Sequence, residues 1–150
     1  MSETGYGKSV RCEEGEFAGW YYWTHDPYER AAGGPFYMQR QDDGSYVSAF
    51  RAKECHMNGA GFMHGGCLLT FADYALFVIA TDHLRDQLAV TMNLSGDFLS
   101  SVQEGALVEA RGEVTRGGGK TLFVRGLVTA DGEPALSFTG IIRKVGPRTT

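Results

Sequence analysis

The chain has 150 residues and a net charge of −4. That length predicts one domain with a real core, and the acidic balance excludes a nucleic-acid surface, which needs a basic stripe. Three cysteines without a pairing pattern fit a reducing compartment, and residues 1–17 lack the charged start and apolar run of a signal peptide, so a cytoplasmic location is expected.

Residues 1–35 are predicted to form an aromatic-rich extension, marked by Trp20-Tyr21-Tyr22-Trp23, that packs on the domain as a short helix or loop. Such aromatics either wall a pocket or anchor the terminus on a sheet edge, and packing area is their commoner use. Residues 36–150 read as a single domain. Residues 36–40 and 46–52 make a predicted hairpin around Asp42-Asp43-Gly44. Residues 66–84 carry no proline and, after Gly66, no glycine. Apolar residues at 68, 69, 72, 75, 76, 79 and 80 form a broad stripe at helical period. Phe71, Tyr74, Phe77 and Val78 fill much of the other face, so this helix is buried nearly all round. Thr70 and Asp73 interrupt it too much for a membrane span. Strands are predicted over 89–99, 106–115, 121–130 and 135–145, separated by turns that include Gly117-Gly118-Gly119 and Asp131-Gly132. One antiparallel sheet against one long helix is an α+β architecture.

The chemistry concentrates at the start and middle of the helix, in Asn58-Gly59-Ala60-Gly61-Phe62-Met63-His64-Gly65-Gly66 and in Asp73. Glycines at a helix start expose backbone N–H groups that can hold a developing oxyanion. A carboxylate in an apolar helix is costly to bury without a partner or a task. Together they point to hydrolysis of an acyl compound. Asp73 acts as general base on water or as nucleophile on the carbonyl; the plainer alternative is a core carboxylate satisfied by an arginine or backbone. The Gly65 N–H is the chosen oxyanion donor, with Gly66 second, although glycines at a helix start most often mean only a tight turn. His64 is expected to orient the turn rather than move a proton. Asn58, followed by glycine, forms a turn or uses its amide to position water or the substrate carbonyl. Cys67 sits in the first turn, where the helix dipole lowers a thiol's pKa, but a cysteine on a mostly apolar helix is more often packing. No metal-ligand spacing occurs, and no metal or cofactor is expected.

Gly65 and Asp73 are about 12 Å apart along one helix at ~1.5 Å per residue. A catalytic carboxylate and an oxyanion donor must each come within about 3 Å of the reacting group or its water. One chain cannot satisfy both. Two antiparallel helices across a two-fold axis can, which predicts a homodimer with two equivalent sites.

The run Asn58-Gly59-x-Gly61-x-x-His64-Gly65-Gly66, then Ala72-Asp73 and a strand beginning Val90-Thr91, resembles the hotdog-fold acyl-CoA thioesterases of the phenylacetate-pathway type. The resemblance covers roughly residues 35–145 and implies a long helix wrapped by a curled antiparallel sheet. It also implies the same dimer, paired into a homotetramer, and an acyl-CoA substrate. By this likeness Thr91 lies near the catalytic acid, where its hydroxyl aids the carboxylate or the water; the alternative is simply a good β residue. Gly117-Gly118-Gly119-Lys120-Thr121 lacks the spacing of a Walker loop and resembles the turn that meets the nucleotide half of CoA, where Lys120 either supplies charge for phosphate or is an ordinary hairpin lysine. A non-catalytic acyl-CoA-binding or regulatory module is the alternative. A hydratase is disfavoured because no Asp and His pair follows the helix on a loop.

Overall fold

A computed structural model describes residues 8–147. In chain order its elements are β1 (Val10–Arg11), β2 (Tyr21–Tyr22), a π-helical turn (Glu29–Gly33), β3 (Tyr37–Arg40), β4 (Tyr46–Arg51) and a 3-10 turn (Glu54–His56). Helix α1 (Gly65–Ile79) and the one-turn α2 (Thr81–Leu84) come next. The long strands β5 (Gln87–Phe98), β6 (Leu107–Arg116), β7 (Thr121–Ala130) and β8 (Glu133–Pro147) complete the fold. All eight strands join one antiparallel sheet in the order β1-β2-β3-β4-β6-β7-β8-β5.

The predicted hairpin forms as β3 and β4, with Tyr37 opposite Ala49 and Arg40 opposite Tyr46. Its turn is closed by Asp43, whose Oδ1 accepts the Ser45 N–H at 2.9 Å, and by Gly44 at φ 87°. The late strands lie where the alternation of residues places them, each within two residues of its expected bounds.

Two expectations need correction. The helix is shorter than its 66–84 stripe: α1 ends at Ile79, Ala80 leaves helical geometry at ψ 7°, and the Thr81 hydroxyl donates to the Val78 carbonyl at 2.7 Å. A hydroxyl that close offers the carbonyl a partner other than the next helical N–H. The stripe continues across the break because both pieces face one core, and Leu84 is fully buried. The N-terminal segment is also more than a helix or loop. Two-residue strands extend the sheet beyond β3, Phe17 stacks on Tyr37 at 4.4 Å, and Glu16 pairs with Arg51 of β4. The Glu29–Gly33 turn packs against α1, and Trp23 sets its ring edge-on to Tyr74 of that helix at 4.7 Å.

Helix α1 touches β4, β5, β6, β7 and β8. A helix about 10–12 Å across meets five strands spaced about 4.8 Å apart only if the sheet curls around it, which is the hotdog arrangement. Glycines let the two layers approach. A Cβ on Gly140 would lie 2.4 Å from Leu76, and one on Gly112 would lie 2.8 Å from Ile79. The core between helix and sheet is filled by Phe36, Phe50, Phe71, Leu76 and Phe138, all at most 1% exposed. At the far end of the sheet, among the described residues, β5 pairs only with β8, which leaves its other edge open, and Leu88, Val90 and Met92 are exposed along it.

Candidate active site

The loop before α1 is organised by side chains that hold backbone. Asn58 Oδ1 accepts the N–H groups of Ala60 (2.9 Å) and Phe62 (3.1 Å), which leaves only its amide NH₂ for other work. The His64 N–H donates to the His56 carbonyl at 2.8 Å, and the Met63 N–H to that of Val102 at 2.8 Å. His64 is the N-cap of α1, and its Nδ1 accepts the Gly66 N–H at 2.9 Å. That bond puts the neutral ring's proton on Nε2. It also removes Gly66 as a second oxyanion donor, because its N–H already has a partner. The Gly65 N–H belongs to the first turn, where helices leave donors unmatched, and it has no acceptor among the described residues. It opens beside a hollow of about 440 Å³ lined by Phe62, Met63, Leu68, Phe98 and Leu99.

At the middle of α1 the polar groups are side chains. The Thr91 hydroxyl donates to Asp73 Oδ1 at 2.6 Å. That is the short distance of a charge-assisted bond; it fixes the half-buried carboxylate and leaves Oδ2 free. The register of β5 shifts between Thr91 and Asn93, a bulge of the kind that re-aims side chains near functional sites. Cys67 is half-buried, and its thiol is pushed up to about 11 by burial first and Cys55 second, so it stays protonated at neutral pH. One group that the sequence did not single out stands close by. Glu29, on the turn packed against α1, is 6% exposed, and its carboxyl is pushed up to about 8 by burial, then by Asp26, then by Asp73. No sequence pattern marks it, since it reaches the helix only through the fold.

Within one chain the two halves stay apart. Gly65 faces Phe98, and Asp73 bonds Thr91, seven positions earlier on β5. Lys120 and Thr121 lie nearer the Asp73 half: Thr121 and Val90 are both opposite Arg143, one on each side of β8. Lys120, Arg143 and Lys144, with Gln87, line a basic cleft of about 400 Å³. The adjacent Arg143-Lys144 pair was visible in the sequence, but its place beside Lys120 depends on the strand register.

The profile of the thioesterase superfamily matches residues 60–136, just over half of the chain. A Pseudomonas aeruginosa protein that bears the name "putative esterase" is 33% identical over 91 residues, spanning 60% of this chain and 68% of that one. Among solved structures, the E. coli PaaI protein from the phenylacetic acid degradation operon superposes with a TM-score of 0.72 at 23% identity, covering 84% of this chain and 89% of that one, a likeness of fold. A Bacillus halodurans protein solved with CoA gives a TM-score of 0.67 at 26% identity, covering 74% of each chain.

Proposed function

The chain belongs to the thioesterase superfamily, and on that premise we propose that it hydrolyses an acyl-CoA thioester to the free acid and CoA at a site shared by two subunits. The observation that carries this reading is the carboxylate of Asp73, held on one oxygen by Thr91 at 2.6 Å and free on the other. Asp73 Oδ2 activates a water that adds to the thioester carbonyl, or attacks that carbonyl itself to give an anhydride that water then hydrolyses. The carbonyl oxygen gains charge against the Gly65 N–H of the other subunit. The C–S bond then breaks, and the thiolate leaves to take up a proton.

The open edge of β5 supports the dimer. It is long and apolar, a combination that an isolated chain does not usually leave uncovered. Thr91 lies on that edge strand, so pairing two β5 edges about a two-fold axis brings Asp73 towards the partner. Lys120, with Arg143 and Lys144, is the charge we assign to the CoA phosphates, and Asn58 through its free amide NH₂ to the substrate carbonyl or water. The CoA found with the Bacillus protein accords with this class of substrate.

A panel of aryl, short, medium and long acyl-CoA esters tests the activity. Turnover of at least one class is expected; binding without turnover of any would establish a non-catalytic acyl-CoA module. Mixing two inactive variants, Asp73→Asn and Gly65→Pro, tests the shared site. His64 already has the extended conformation (φ −60°, ψ 132°) that precedes proline, and the first helical position accepts proline. A Cβ at position 65 would meet the Phe98 ring at 3.2 Å, so that ring must give way. On subunit exchange one site of each heterodimer collects both lesions and the other collects neither, so activity returns. Exchange without recovery would place both groups in one chain.

A further inference from the structure

Helix α1 keeps one face that the sheet does not cover. Gly66, Thr70, Asp73 and Phe77 recur at helical spacing, and none of them is buried. One flank of this face is closed by β5. Thr91 bonds Asp73 at 2.6 Å, and a Cβ on Gly96 would lie 3.4 Å from Leu69. The other flank is closed by the segment ahead of the domain. Trp23 packs edge-on against Tyr74 at 4.7 Å. The Tyr28 hydroxyl lies 3.4 Å from Thr70 Oγ1, and a Cβ on Gly33 would lie 3.5 Å from the Thr70 methyl. The two ends of one turn thus meet Thr70, whose Cβ is about 5–6 Å from that of Asp73 at this spacing. That turn is firmly built. Asp26 Oδ1 accepts the Glu29 N–H at 3.0 Å, the Gly34 N–H donates to the Glu29 carbonyl at 2.8 Å, and His56 Nε2 lies 2.8 Å from the Gly33 carbonyl. Tyr28 is nevertheless 60% exposed. It meets the helix by its tip and is not packed into the core, so it stands as a wall beside the open face.

We propose that Tyr28 is a specificity-determining residue: it closes the acyl end of the site and restricts the substrate to compact acyl groups, short aliphatic or single-ring aryl, against long fatty chains. The proposal rests on the reading of Asp73 as the group that acts on a CoA thioester. The basic cleft of Lys120, Arg143 and Lys144 lies on the flank of β5 and its neighbour β8. A CoA whose phosphates sit there brings its thioester to Asp73 from that flank. The acyl group is bonded to the other side of the same carbonyl carbon. It therefore leads away from the CoA arm, across the open face of α1 towards Thr70 and Tyr28. It meets the wall within about one helical turn, ~5.4 Å. A longer chain must displace the Tyr28 ring or pass around it. Each methylene that fits or fails to fit a pocket changes kcat/KM by roughly tenfold or more, so a single ring at this place is enough to set a length limit.

The test measures kcat/KM for butanoyl-, benzoyl- and decanoyl-CoA in wild type, Tyr28→Phe and Tyr28→Ala. Wild type should favour the butanoyl and benzoyl esters. Tyr28→Ala removes the wall, and its decanoyl-to-butanoyl ratio should rise by about tenfold or more. Tyr28→Phe keeps the ring and loses only the hydroxyl, so its ratio should stay near the wild-type one. A wild type that prefers decanoyl-CoA, or a Tyr28→Ala ratio equal to that of wild type, would overturn the proposal. So would a Tyr28→Phe ratio as high as that of Tyr28→Ala, since the bulk of the ring would then not be what limits the chain. Calorimetry with S-butyl-CoA and S-decyl-CoA, thioethers that cannot be hydrolysed, repeats the comparison without turnover. Tyr28→Ala should bind the decyl thioether more tightly relative to the butyl one than wild type does. That shift without hydrolysis of any CoA ester sinks the function proposed above and leaves the wall standing. Hydrolysis of CoA esters with neither shift sinks the wall alone.

Discussion

The start and the middle of α1 are built from different materials. At the start, Asn58 and His64 turn their side chains inward to hold the backbone, and the group left free is a main-chain N–H that any residue except proline would supply. At the middle, the backbone is ordinary helix, and the polar groups are the side chains of Asp73 and Thr91, drawn from two separate segments. The first half thus depends on geometry and tolerates changes of side-chain identity outside its caps. The second depends on the charge and hydrogen bonding of particular side chains.

The largest effect that follows is at Asp73. Replacing it with asparagine keeps size and polarity but removes the charge. Turnover of the best ester in the panel should fall by about 10² or more, the usual scale for loss of a general base. The fold should survive because the side chain is only half-buried, and circular dichroism checks this. A folded Asp73→Asn protein with near-normal turnover would erase the distinction between the two halves, since the middle of the helix would then carry no chemistry.

That distinction was partly legible beforehand. The helix was readable because its apolar residues recur at its own period, and Asp73 stood out against them. Its end was not readable: Leu84 fits the stripe as well as Ile79 does, and the break shows only in the structure, where Ala80 turns out of the helix and the Thr81 hydroxyl meets the Val78 carbonyl. The glycine pair announced exposed N–H groups, with Gly65 ranked before Gly66; the reason Gly66 falls behind, the rotamer that sends His64 Nδ1 to its N–H, is a matter of the fold. Strand order was hidden too, since β5 pairs with β8 and not with its neighbour in sequence. Glu29 was invisible for the same reason as the strand order: its contact with the helix is wholly tertiary.

A smaller effect is expected at Thr91. Thr91→Val keeps the β-branched shape suited to a strand and removes the donor to Asp73 Oδ1. A hydrogen bond to a charged group contributes about 1.5–3 kcal/mol, reduced here because solvent reaches the pair. Turnover should therefore drop about fivefold with KM little changed, and Thr91→Ser should restore most of it. Steady-state kinetics on the three proteins decides. A Thr91→Val enzyme with wild-type turnover would mean that the carboxylate needs no fixing, and that the middle of the helix relies on charge alone.

The smallest effect is expected at Cys67, and it sharpens the comparison from the other side. Position 67 lies in the first turn of α1, in the half assigned to backbone geometry, so no side chain there should take part in the reaction. Its thiol is pushed up to about 11 by burial first. A group held there is ionised to roughly one part in 10⁴ at neutral pH, and the thiolate is the form that attacks. The side chain packs against the core, and Cys67→Ala removes one sulfur atom from a half-buried place. The cost in stability should be about 1 kcal/mol or less, read as a small shift in thermal midpoint, with turnover within about a factor of two of wild type. Alkylation of the native protein should likewise be slow at position 67. A well-folded Cys67→Ala protein without turnover would make the thiol the nucleophile. The start of the helix would then carry side-chain chemistry after all.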